Sequence, residues 1–276
     1  MATLKEYLKG KLSEKELKLV RRSFDIIGDI AQLEIPPELE KKEKEIAKAI
    51  MKLHKNVNVV VKKIGPTSGE ERIRPVKAIL GEKRTETVHV ENGIKLKLDL
   101  NKVYFSPRLG TEHLRVVNQI KKDEVVFDLF AGVGPYSIPA AKKAKKVIAI
   151  DINPYAIQYL KENAKLNKVE NKIEAHVGDC RKVVKKHRWK NKANRVIMNL
   201  PMHAGEFLDV AFYVAKKNSI VHCYFFLKEE ELYKGAIKKI KDAEKKFGRK
   251  TRILRKRKCG QLASRIWRVV VDFKIY

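Results

Sequence analysis

The sequence predicts an α/β protein in which a doubly wound, mostly parallel sheet follows a smaller N-terminal α+β domain. The main observation is that strand-like and helix-like runs alternate after about residue 102, as they do in βαβ units. Before that point the pattern alternates with period two and turns at an Asn-Gly pair, which is typical of an antiparallel hairpin. Hydrophobic residues make up 44% of the 276 residues, enough for a sizeable core.

The N-terminal domain is expected to span residues 1–101 and to combine helices with short strands. The predicted elements are helices within 1–55, an interrupting apolar strand within 25–36, an amphipathic helix over 37–54, a strand over 56–64 and a small antiparallel sheet over 65–100. Pro36 and Pro37 end the apolar strand, and proline at a first helical position favours the start of the next helix.

The second domain is expected to span residues 102–276 and to contain a seven-stranded sheet. The predicted strands cover 124–130, 146–152, 172–178, 195–200, 219–227, 251–259 and 265–276. Helices are predicted near 135–144, 154–167, 204–217 and 229–247. Because no helical pattern separates the last two strands, they should form an antiparallel hairpin at one edge of the sheet.

The chain is strongly basic, with 62 lysines and arginines against 33 acids and a formal charge of +29. A solvated, lysine-rich surface would explain part of this excess, but a field of this size favours a polyanion such as RNA. The charged N-terminus lacks the apolar core of a signal peptide, and no run approaches the roughly 18 apolar residues of a membrane span. We therefore expect a cytoplasmic protein with no membrane partner.

The three cysteines and seven histidines show no metal-binding or disulfide pattern. Cys180, Cys223 and Cys259 are far apart and form no CxxC pair, and their odd number argues against a disulfide framework. The histidines likewise lack the spacing of metal ligands. We therefore expect no bound metal.

A glycine loop follows the first strand of the second domain, within the segment 128–135. Gly132 and Gly134 would let the backbone approach a ligand closely, because glycine carries no side chain. In open α/β sheets, ligands bind outside the carboxyl ends of the strands, where this loop is expected. The segment is not GxGxxG, so the residues after the next strands decide which ligand it favours.

An acid or an amide follows each of four successive strands of the second domain: Asp128, Asp151, Asp179 and Asn199. Asp151 could accept hydrogen bonds from both hydroxyls of a ribose, and Asp179 could accept one from an adenine amino group. Each residue alone could merely cap a strand or a helix. Four such residues in series favour a nucleoside ligand without phosphates. S-adenosyl-L-methionine suits a carboxylate-lined pocket better than a dinucleotide does, because it carries a positive sulfonium and no phosphate.

Four segments of the sequence resemble the archaeal and eukaryotic tRNA (guanosine-37 N1)-methyltransferases. They are VYFSPRLGTEHLR (103–115), VVFDLFAGVGPYSI (125–138), VIAIDINPYAI (147–157) and RVIMNLP (195–201). The glycine loop and the strand before Asp151 are shared by many methyltransferases, whereas the FSPRLG and MNLP segments are more specific to this family. The resemblance runs from about residue 20 to the end and implies a Rossmann-like class I methyltransferase domain.

The resemblance also implies the residues of an active site. Glu112 would be the general base for the N1 proton of guanine, and Arg72 would donate to its O6. Asn199 and Pro201 would shape the pocket for the base. The residues expected to bind S-adenosyl-L-methionine are Arg108, Asp128, Phe130, Gly132, Gly134, Asp151, Ile152, Asp179, Cys180 and Asn199.

Other interpretations of these residues stay open. Glu112 alone could be an exposed glutamate at a helix start, and Arg72 or Arg74 could simply contact phosphates. The chain could instead move the aminocarboxypropyl group of the same cofactor onto a modified guanosine, as in the wybutosine pathway. It could also methylate another guanosine or a tricyclic derivative at the same tRNA position, or be a catalytically silent RNA-binding module. The family resemblance favours methyl transfer to guanosine-37.

The expected partner is the anticodon stem-loop of tRNA, bound by a monomer. The target base must be turned out of its stack to reach a pocket, and the basic N-terminal domain would hold the RNA backbone. Members of the family usually carry an additional small N-terminal domain that contacts the outer corner of the tRNA. The sequence begins too late to include that domain, so a short form is expected.

Overall fold

The computed structural model describes residues 3–21, 23–65 and 73–276, and the chain forms two compact units, Met1–Pro107 and Arg108–Tyr276. The boundary predicted between residues 101 and 102 lies shortly before this division. The first unit mixes short helices with small sheets, and the second is built on one large sheet.

The first unit contains three α-helices, a 3-10 helix over Pro37–Lys42 and six strands within its described residues. The α-helices and strands are α1 (Leu4–Leu8), α2 (Glu14–Leu19), β1 (Asp25–Ile27), β2 (Ile30–Leu33), α3 (Glu43–Leu53), β3 (Val59–Lys63), β4 (Val76–Gly81), β5 (Glu86–Glu91) and β6 (Ile94–Asp99). Strands β1 to β4 form one sheet in that order, and β5 pairs with β6. The β5–β6 hairpin turns at Asn92 and Gly93, which both have positive φ, as the sequence predicts.

The apolar segment within 25–36 is two strands, although the sequence predicted one. Gly28 and Asp29 form a turn between β1 and β2, which pair antiparallel. The turn is held against β5, because Gly28 N donates to His89 Nδ1 at 3.1 Å and Thr87 Oγ1 donates to Asp29 Oδ1 at 2.7 Å. A strand pattern in the sequence does not reveal such a turn, since apolar residues lie on both sides of it.

The second unit contains a seven-stranded sheet. Its elements are α4 (Gly110–Val117), β7 (Val125–Asp128), α5 (Ser137–Lys143), β8 (Lys146–Asp151), α6 (Pro154–Leu166), β9 (Ile173–Val177), α7 (Cys180–Lys186), β10 (Ala193–Met198), α8 (Leu208–Val214), β11 (Ala215–Lys228), α9 (Leu232–Phe247), β12 (Thr251–Ala263) and β13 (Ile266–Ile275). The strand order is β12-β13-β11-β10-β7-β8-β9. Strands β7 to β11 run parallel to one another, whereas β13 is antiparallel to both β11 and β12. The predicted mostly parallel sheet with a C-terminal hairpin at one edge is confirmed.

Among the connections between strands of the large sheet, two local features differ from the prediction. Helix α7, between β9 and β10, was not predicted. Strand β11 begins at Ala215, within the range predicted as helix, and its pairing with β10 is irregular between Ala193 and Arg195. Both features lie where a short helix joins two strands, so the helical period has too few residues to be recognised.

The core of the second unit fills both faces of the sheet with apolar side chains. Phe127, Val196, Val221 and Val271 are all completely buried in the central strands. Across the described ranges no helix is long and apolar enough to cross a membrane, and these ranges hold no cluster of His, Cys, Asp or Glu that could bind a metal ion. The three cysteines are all free thiols.

Candidate active site

The carboxyl ends of four parallel strands meet at one edge of the large sheet. Strands β10, β7, β8 and β9 are neighbours in that order and run parallel. Asn199 follows β10, Asp128 ends β7, Asp151 ends β8 and Asp179 follows β9. The four acid or amide residues therefore follow adjacent strands at one edge, where open α/β sheets bind their ligands.

The glycine loop after β7 is fixed by hydrogen bonds to β8. Gly132 N donates to Asp151 Oδ2 at 2.7 Å, and Asn153 N donates to Asp151 Oδ1 at 2.9 Å. A carboxylate has about four acceptor sites, so Asp151 can hold the loop and still accept hydrogen bonds from a ligand.

The two glycines of the loop have different reasons for lacking a side chain. A β-carbon on Gly132 would meet no atom within 4 Å, so this residue faces open space. A β-carbon on Gly134, which has a φ of +97°, would lie 2.8 Å from Ile138 Cγ1. Gly134 is therefore required by packing inside the loop, whereas Gly132 leaves room for a ligand at the sheet edge.

Asp128 supports the loop from beneath and is completely buried. Ser137 Oγ donates to Asp128 Oδ2 at 2.7 Å, while none of the described residues gives Oδ1 a hydrogen bond. Burial raises the pKa of Asp128 to about 7; the bond from Ser137 opposes this rise, and the charge of Asp151 adds to it. A cation bound at this edge would favour the ionised form of Asp128.

Apolar and aromatic side chains flank the loop. Ile152, directly after Asp151, is 44% exposed despite its apolar character. The rings of Phe130 and Phe207 meet edge to face at 5.1 Å, and the Arg181 guanidinium lies 3.9 Å from the centre of the Phe207 ring. Phe130 and Ile152 were predicted at the site, whereas Phe207 and Arg181 were not. The two phenylalanine rings are flat and Ile152 is apolar and exposed, which are properties that a site for a purine ring requires.

Asp179 and Cys180 occupy the start of helix α7. Asp179 Oδ1 accepts a hydrogen bond from Arg181 N at 2.7 Å, which makes Asp179 the N-cap of this helix. The Cys180 side chain packs in the hydrophobic core, and burial raises the pKa of its thiol to about 12. The buried thiol of Cys180 therefore packs as an apolar group and stays protonated at physiological pH.

Asn199 has an unsatisfied acceptor. Its Oδ1 is buried, and no hydrogen-bond donor among the described residues reaches it. A buried acceptor without a partner costs about 1–3 kcal/mol, so such an atom in a native structure calls for a ligand or another explanation. The buried Pro201 nearby fixes this segment, because its carbonyl oxygen accepts a hydrogen bond from Phe226 N at 3.1 Å.

Glu112 is buried in the first turn of helix α4, although the sequence alone suggested an exposed residue. Arg115 donates to both carboxylate oxygens, from Nε to Oε2 at 2.9 Å and from Nη2 to Oε1 at 2.7 Å. The hydroxyl of Tyr224 on β11 donates to Oε1 at 2.7 Å, and the Tyr136 hydroxyl donates to Tyr224 at 2.8 Å. Since Tyr136 belongs to the segment after Gly134, two hydroxyl groups connect Glu112 to the glycine loop.

The three arginines considered in the sequence analysis lie in different surroundings or outside the described residues. Arg108 is exposed just before α4. Arg72 lies outside the described residues, so its role stays a prediction. Arg74 forms an ion pair with Glu34 and donates from Nε to Gly65 O at 2.9 Å, all within the first unit.

Several residues that complete the site were not predicted. Tyr136, Tyr224 and Arg115 surround Glu112, and Asp272 on β13 pairs with Arg115. Arg115 and Asp272 are 157 positions apart in the chain. Tyr136 carried a sequence signal because it follows the glycine loop directly, and Arg115 carried one because it lies three positions after Glu112 in the segment 103–115.

The parallel sheet, the glycine loop and the acids at its carboxyl edge define the second unit as a Rossmann-like methyltransferase domain. Two family models match the chain: the TRM5/TYW2 methyltransferase domain over residues 87–254 and the TYW2 N-terminal domain over residues 4–85. The chain belongs to the TRM5/TYW2 methyltransferase family. The expected family resemblance is confirmed, and the first unit corresponds to an N-terminal domain known in this family.

Two curated relatives and one solved structure illustrate the similarity. The tRNA (guanine(37)-N(1))-methyltransferase Trm5b of Pyrococcus abyssi is 49% identical, over 92% of this chain and 74% of the relative. The tRNA(Phe) (4-demethylwyosine(37)-C(7)) aminocarboxypropyltransferase of Pyrococcus horikoshii is 35% identical, over 99% of this chain and 96% of the relative. A structure described as the complex of aTrm5 and tRNALeu has a TM-score of 0.88 and 38% identity, over 100% of this chain and 78% of that one.

Proposed function

We propose that this protein is a tRNA methyltransferase that transfers the methyl group of S-adenosyl-L-methionine to N1 of guanosine-37, next to the anticodon. The observation that carries this proposal is the buried carboxylate of Glu112, which two tyrosine hydroxyls connect to the glycine loop. The 49% identity to an enzyme named for this reaction supports the assignment of substrate and position.

The residues at the sheet edge fit S-adenosyl-L-methionine. Asp151 would accept the ribose hydroxyls, and Gly132 would leave room for the ligand beside the loop. Phe130 and Ile152 would contact the adenine ring, and Asp179 would accept its amino group. When bound, the cofactor supplies an electrophilic methyl group on a sulfonium, a positive charge that the ionised form of Asp128 would stabilise.

Glu112 would act on the target base. Guanine N1 carries a proton, which must leave as N1 bonds to the methyl carbon and the carbon–sulfur bond breaks. Glu112 would accept that proton, and the negative charge that develops at O6 would need a donor, for which Arg72 is our candidate. The unsatisfied Oδ1 of Asn199 could accept a hydrogen bond from the base or from the cofactor.

The anticodon stem-loop of tRNA is the proposed partner. A formal charge of +29 suits a phosphate backbone, because each Lys or Arg placed on a phosphate releases counterions. Strand β12 contributes a basic exposed edge, with Arg255, Lys256, Arg257 and Lys258 in sequence. We also propose a cytoplasmic enzyme that acts as a monomer.

A second candidate is aminocarboxypropyl transfer at the same tRNA position. It is favoured by the match of residues 4–85 to the TYW2 N-terminal domain and by the 96% of the Pyrococcus horikoshii transferase that the chain covers. Against it stands the higher identity, 49% compared with 35%, to the methyltransferase of Pyrococcus abyssi. The two reactions leave groups of different mass on different atoms, so product analysis separates them.

The deciding experiment is mass spectrometry of nucleosides from an unmodified tRNA transcript treated with purified protein and S-adenosyl-L-methionine. We expect 1-methylguanosine at position 37. A transcript already carrying the tricyclic precursor tests the second candidate, since it would gain an aminocarboxypropyl group. No product from either transcript, together with no cofactor binding by calorimetry, would instead indicate an RNA-binding module without catalysis.

A variant of Glu112 tests the proposed base. Glu112→Gln should bind cofactor and tRNA normally but slow methyl transfer on the order of 100-fold or more, because the amide cannot accept the proton. The matched control is Glu170→Gln, which changes an exposed glutamate between α6 and β9. A single-turnover rate for Glu112→Gln equal to that of the control would rule Glu112 out as the base.

A further inference from the structure

Glu112 is the first member of a buried polar chain that continues into the sheet. Arg115 lies one helical turn after Glu112 and donates to it twice. The same guanidinium donates to Asp272, from Nη1 to Oδ2 at 2.6 Å and from Nη2 to Oδ1 at 3.2 Å. Arg115 therefore lies between two carboxylates, each with a side chain less than 5% exposed.

The buried polar chain extends beyond Asp272 through a histidine to a second arginine. His222 Nδ1 and Asp272 Oδ1 are 2.7 Å apart, and Arg195 Nη1 lies 2.8 Å from His222 Nε2. Arg195 is held in turn by Glu124, which accepts hydrogen bonds at 2.7 and 2.9 Å. His222 is completely buried and Arg195 nearly so.

The hydrogen bonds of this chain fix the protonation of His222. Because an arginine can only donate, His222 Nε2 must accept from Arg195, and Nδ1 must carry the proton that is donated to Asp272. Burial lowers the pKa of His222, and this effect outweighs the opposite effect of Asp272. The ring is therefore neutral at physiological pH. Asp272 remains ionised, since the hydrogen bond from His222 and the Arg115 guanidinium lower its pKa despite burial.

The buried polar chain begins on helix α4, which carries Glu112. Helix α4 spans only Gly110–Val117 and has no side-chain hydrogen bond at its N-cap. Burying ion pairs of this kind stabilises a fold little, because desolvation offsets the attraction, although such groups can specify one geometry. Asp272 gives the Arg115 charge a second carboxylate, so Arg115 does not act on Glu112 alone.

We infer that Asp272 and His222 are positioning residues that act through Arg115 to hold the Glu112 carboxylate in place and available to the target base. This inference rests on the proposed function, in which Glu112 is the base. Without the Asp272 carboxylate, Arg115 would lose one of the two groups that fix its guanidinium, and the Glu112 carboxylate would no longer be held in one orientation. Neither Asp272 nor His222 would contact the RNA or the cofactor.

The test is single-turnover methyl transfer with S-adenosyl-L-methionine and an unmodified tRNA transcript at saturation. Asp272→Asn keeps the size of the side chain and removes its charge. We expect the rate to fall at least about tenfold, while the affinities for cofactor and transcript stay within about twofold of the wild type. Asp242→Asn, at an exposed position of α9, is the matched control and should leave the rate unchanged.

A double-variant cycle separates positioning from general support of the fold. If Asp272 acts through Glu112, Asp272→Asn should slow a Glu112→Gln protein by no more than about twofold, because the group it positions is already gone. An equal loss in both backgrounds would overturn the inference. So would a wild-type rate for Asp272→Asn.

Two variants of His222 keep the inference testable if Asp272→Asn does not fold. The amide nitrogen of His222→Asn can replace Nδ1 as the donor to Asp272, whereas His222→Leu offers no donor. We expect the asparagine to recover most of the rate that the leucine loses, and equal rates for the two would overturn the inference. If the wild-type protein itself does not methylate the transcript, the proposed function fails, and that outcome is distinct from any of these.

Discussion

At the scale of single residues, Asp151 has the clearest double role. It holds the glycine loop through Gly132 N, it fixes the start of the next connection through Asn153 N, and it lies where a cofactor ribose is expected. Hydrogen bonds to a charged group are worth about 1.5–3 kcal/mol each, so loss of the carboxylate should weaken binding strongly. We predict that Asp151→Ala lowers the affinity for S-adenosyl-L-methionine at least about tenfold, as measured by calorimetry.

The control for this variant is Asp123→Ala, at an exposed position before β7. It removes an aspartate of the same unit without touching the loop, so its affinity should match that of the wild type. An Asp151→Ala protein that folds and binds the cofactor as tightly as this control would contradict the assignment of the ribose site.

Asp128 leads to a prediction about pH. Its pKa in the folded protein, about 7, lies above the ordinary value of 3.8, so the folded state binds the proton more tightly than the unfolded chain. The resulting stability is fully present below the unfolded pKa and is lost as pH rises through the folded pKa. The wild type should therefore lose stability relative to Asp128→Asn between about pH 4 and about pH 8.

Urea unfolding of the cofactor-free proteins across this pH range measures the difference. Asp128→Asn has no titrating group at this position, so the two stability curves should separate progressively as pH rises. Parallel curves would show that Asp128 does not bind its proton more tightly in the folded protein.

The site residues differ in how far the sequence predicted them. Four residues were predicted to follow successive strands: Asp128, Asp151, Asp179 and Asn199. An acid or amide that follows an apolar run can be recognised in the sequence alone. Their individual environments were not predictable. The burial of Glu112 and the unsatisfied oxygen of Asn199 depend on which distant strands close around them.

At the scale of elements, the glycine loop shows how one segment serves both packing and binding. Gly132→Ala should keep more of the stability, because its β-carbon would enter open space, although its φ of +53° still costs about 1–2 kcal/mol. Gly134→Ala should lose more, since a φ of +97° combines with the contact to Ile138. We predict that Gly134→Ala has the lower thermal midpoint, whereas Gly132→Ala folds but binds S-adenosyl-L-methionine weakly.

Thermal unfolding without cofactor and calorimetry with it measure the two properties on the same pair of variants. If Gly132→Ala bound the cofactor as the wild type does, the open space beside Gly132 would not be the ligand site. If the two variants unfolded at the same temperature, the contact between residue 134 and Ile138 would not limit the loop.

The elements that carry the fold were more predictable than their connections. The strands of the large sheet are long apolar runs separated by helices, so their order implied parallel pairing. Helix α7 was missed because Cys180–Lys186 is short and contains a pair of valines. The polar chain from Glu112 to Asp272 is local only between Glu112 and Arg115 on α4, because its other members lie on the distant strands β11 and β13.

At the scale of the whole molecule, most of the proposed site residues belong to one unit. Glu112, Asp151 and Asn199 all belong to Arg108–Tyr276, together with the polar chain behind Glu112. The first unit matches the TYW2 N-terminal domain and contains Arg72. Contacts with parts of the tRNA far from the target base can therefore change binding more readily than they change the chemical step.

This division predicts that an isolated anticodon stem-loop is a substrate. The proposed target, guanosine-37, lies in that loop, and Glu112 would act only on the flipped base. At saturating enzyme, the stem-loop should be methylated at a rate within about tenfold of full tRNA, or roughly 1.4 kcal/mol in barrier. A stem-loop with adenosine at position 37 should give no product, because adenine N1 carries no proton for Glu112 and its exocyclic group at position 6 is a donor. Single-turnover rates for the three RNAs test this: an inert stem-loop would mean that the chemical step needs the whole tRNA, and equal methylation of the adenosine variant would overturn the guanosine assignment.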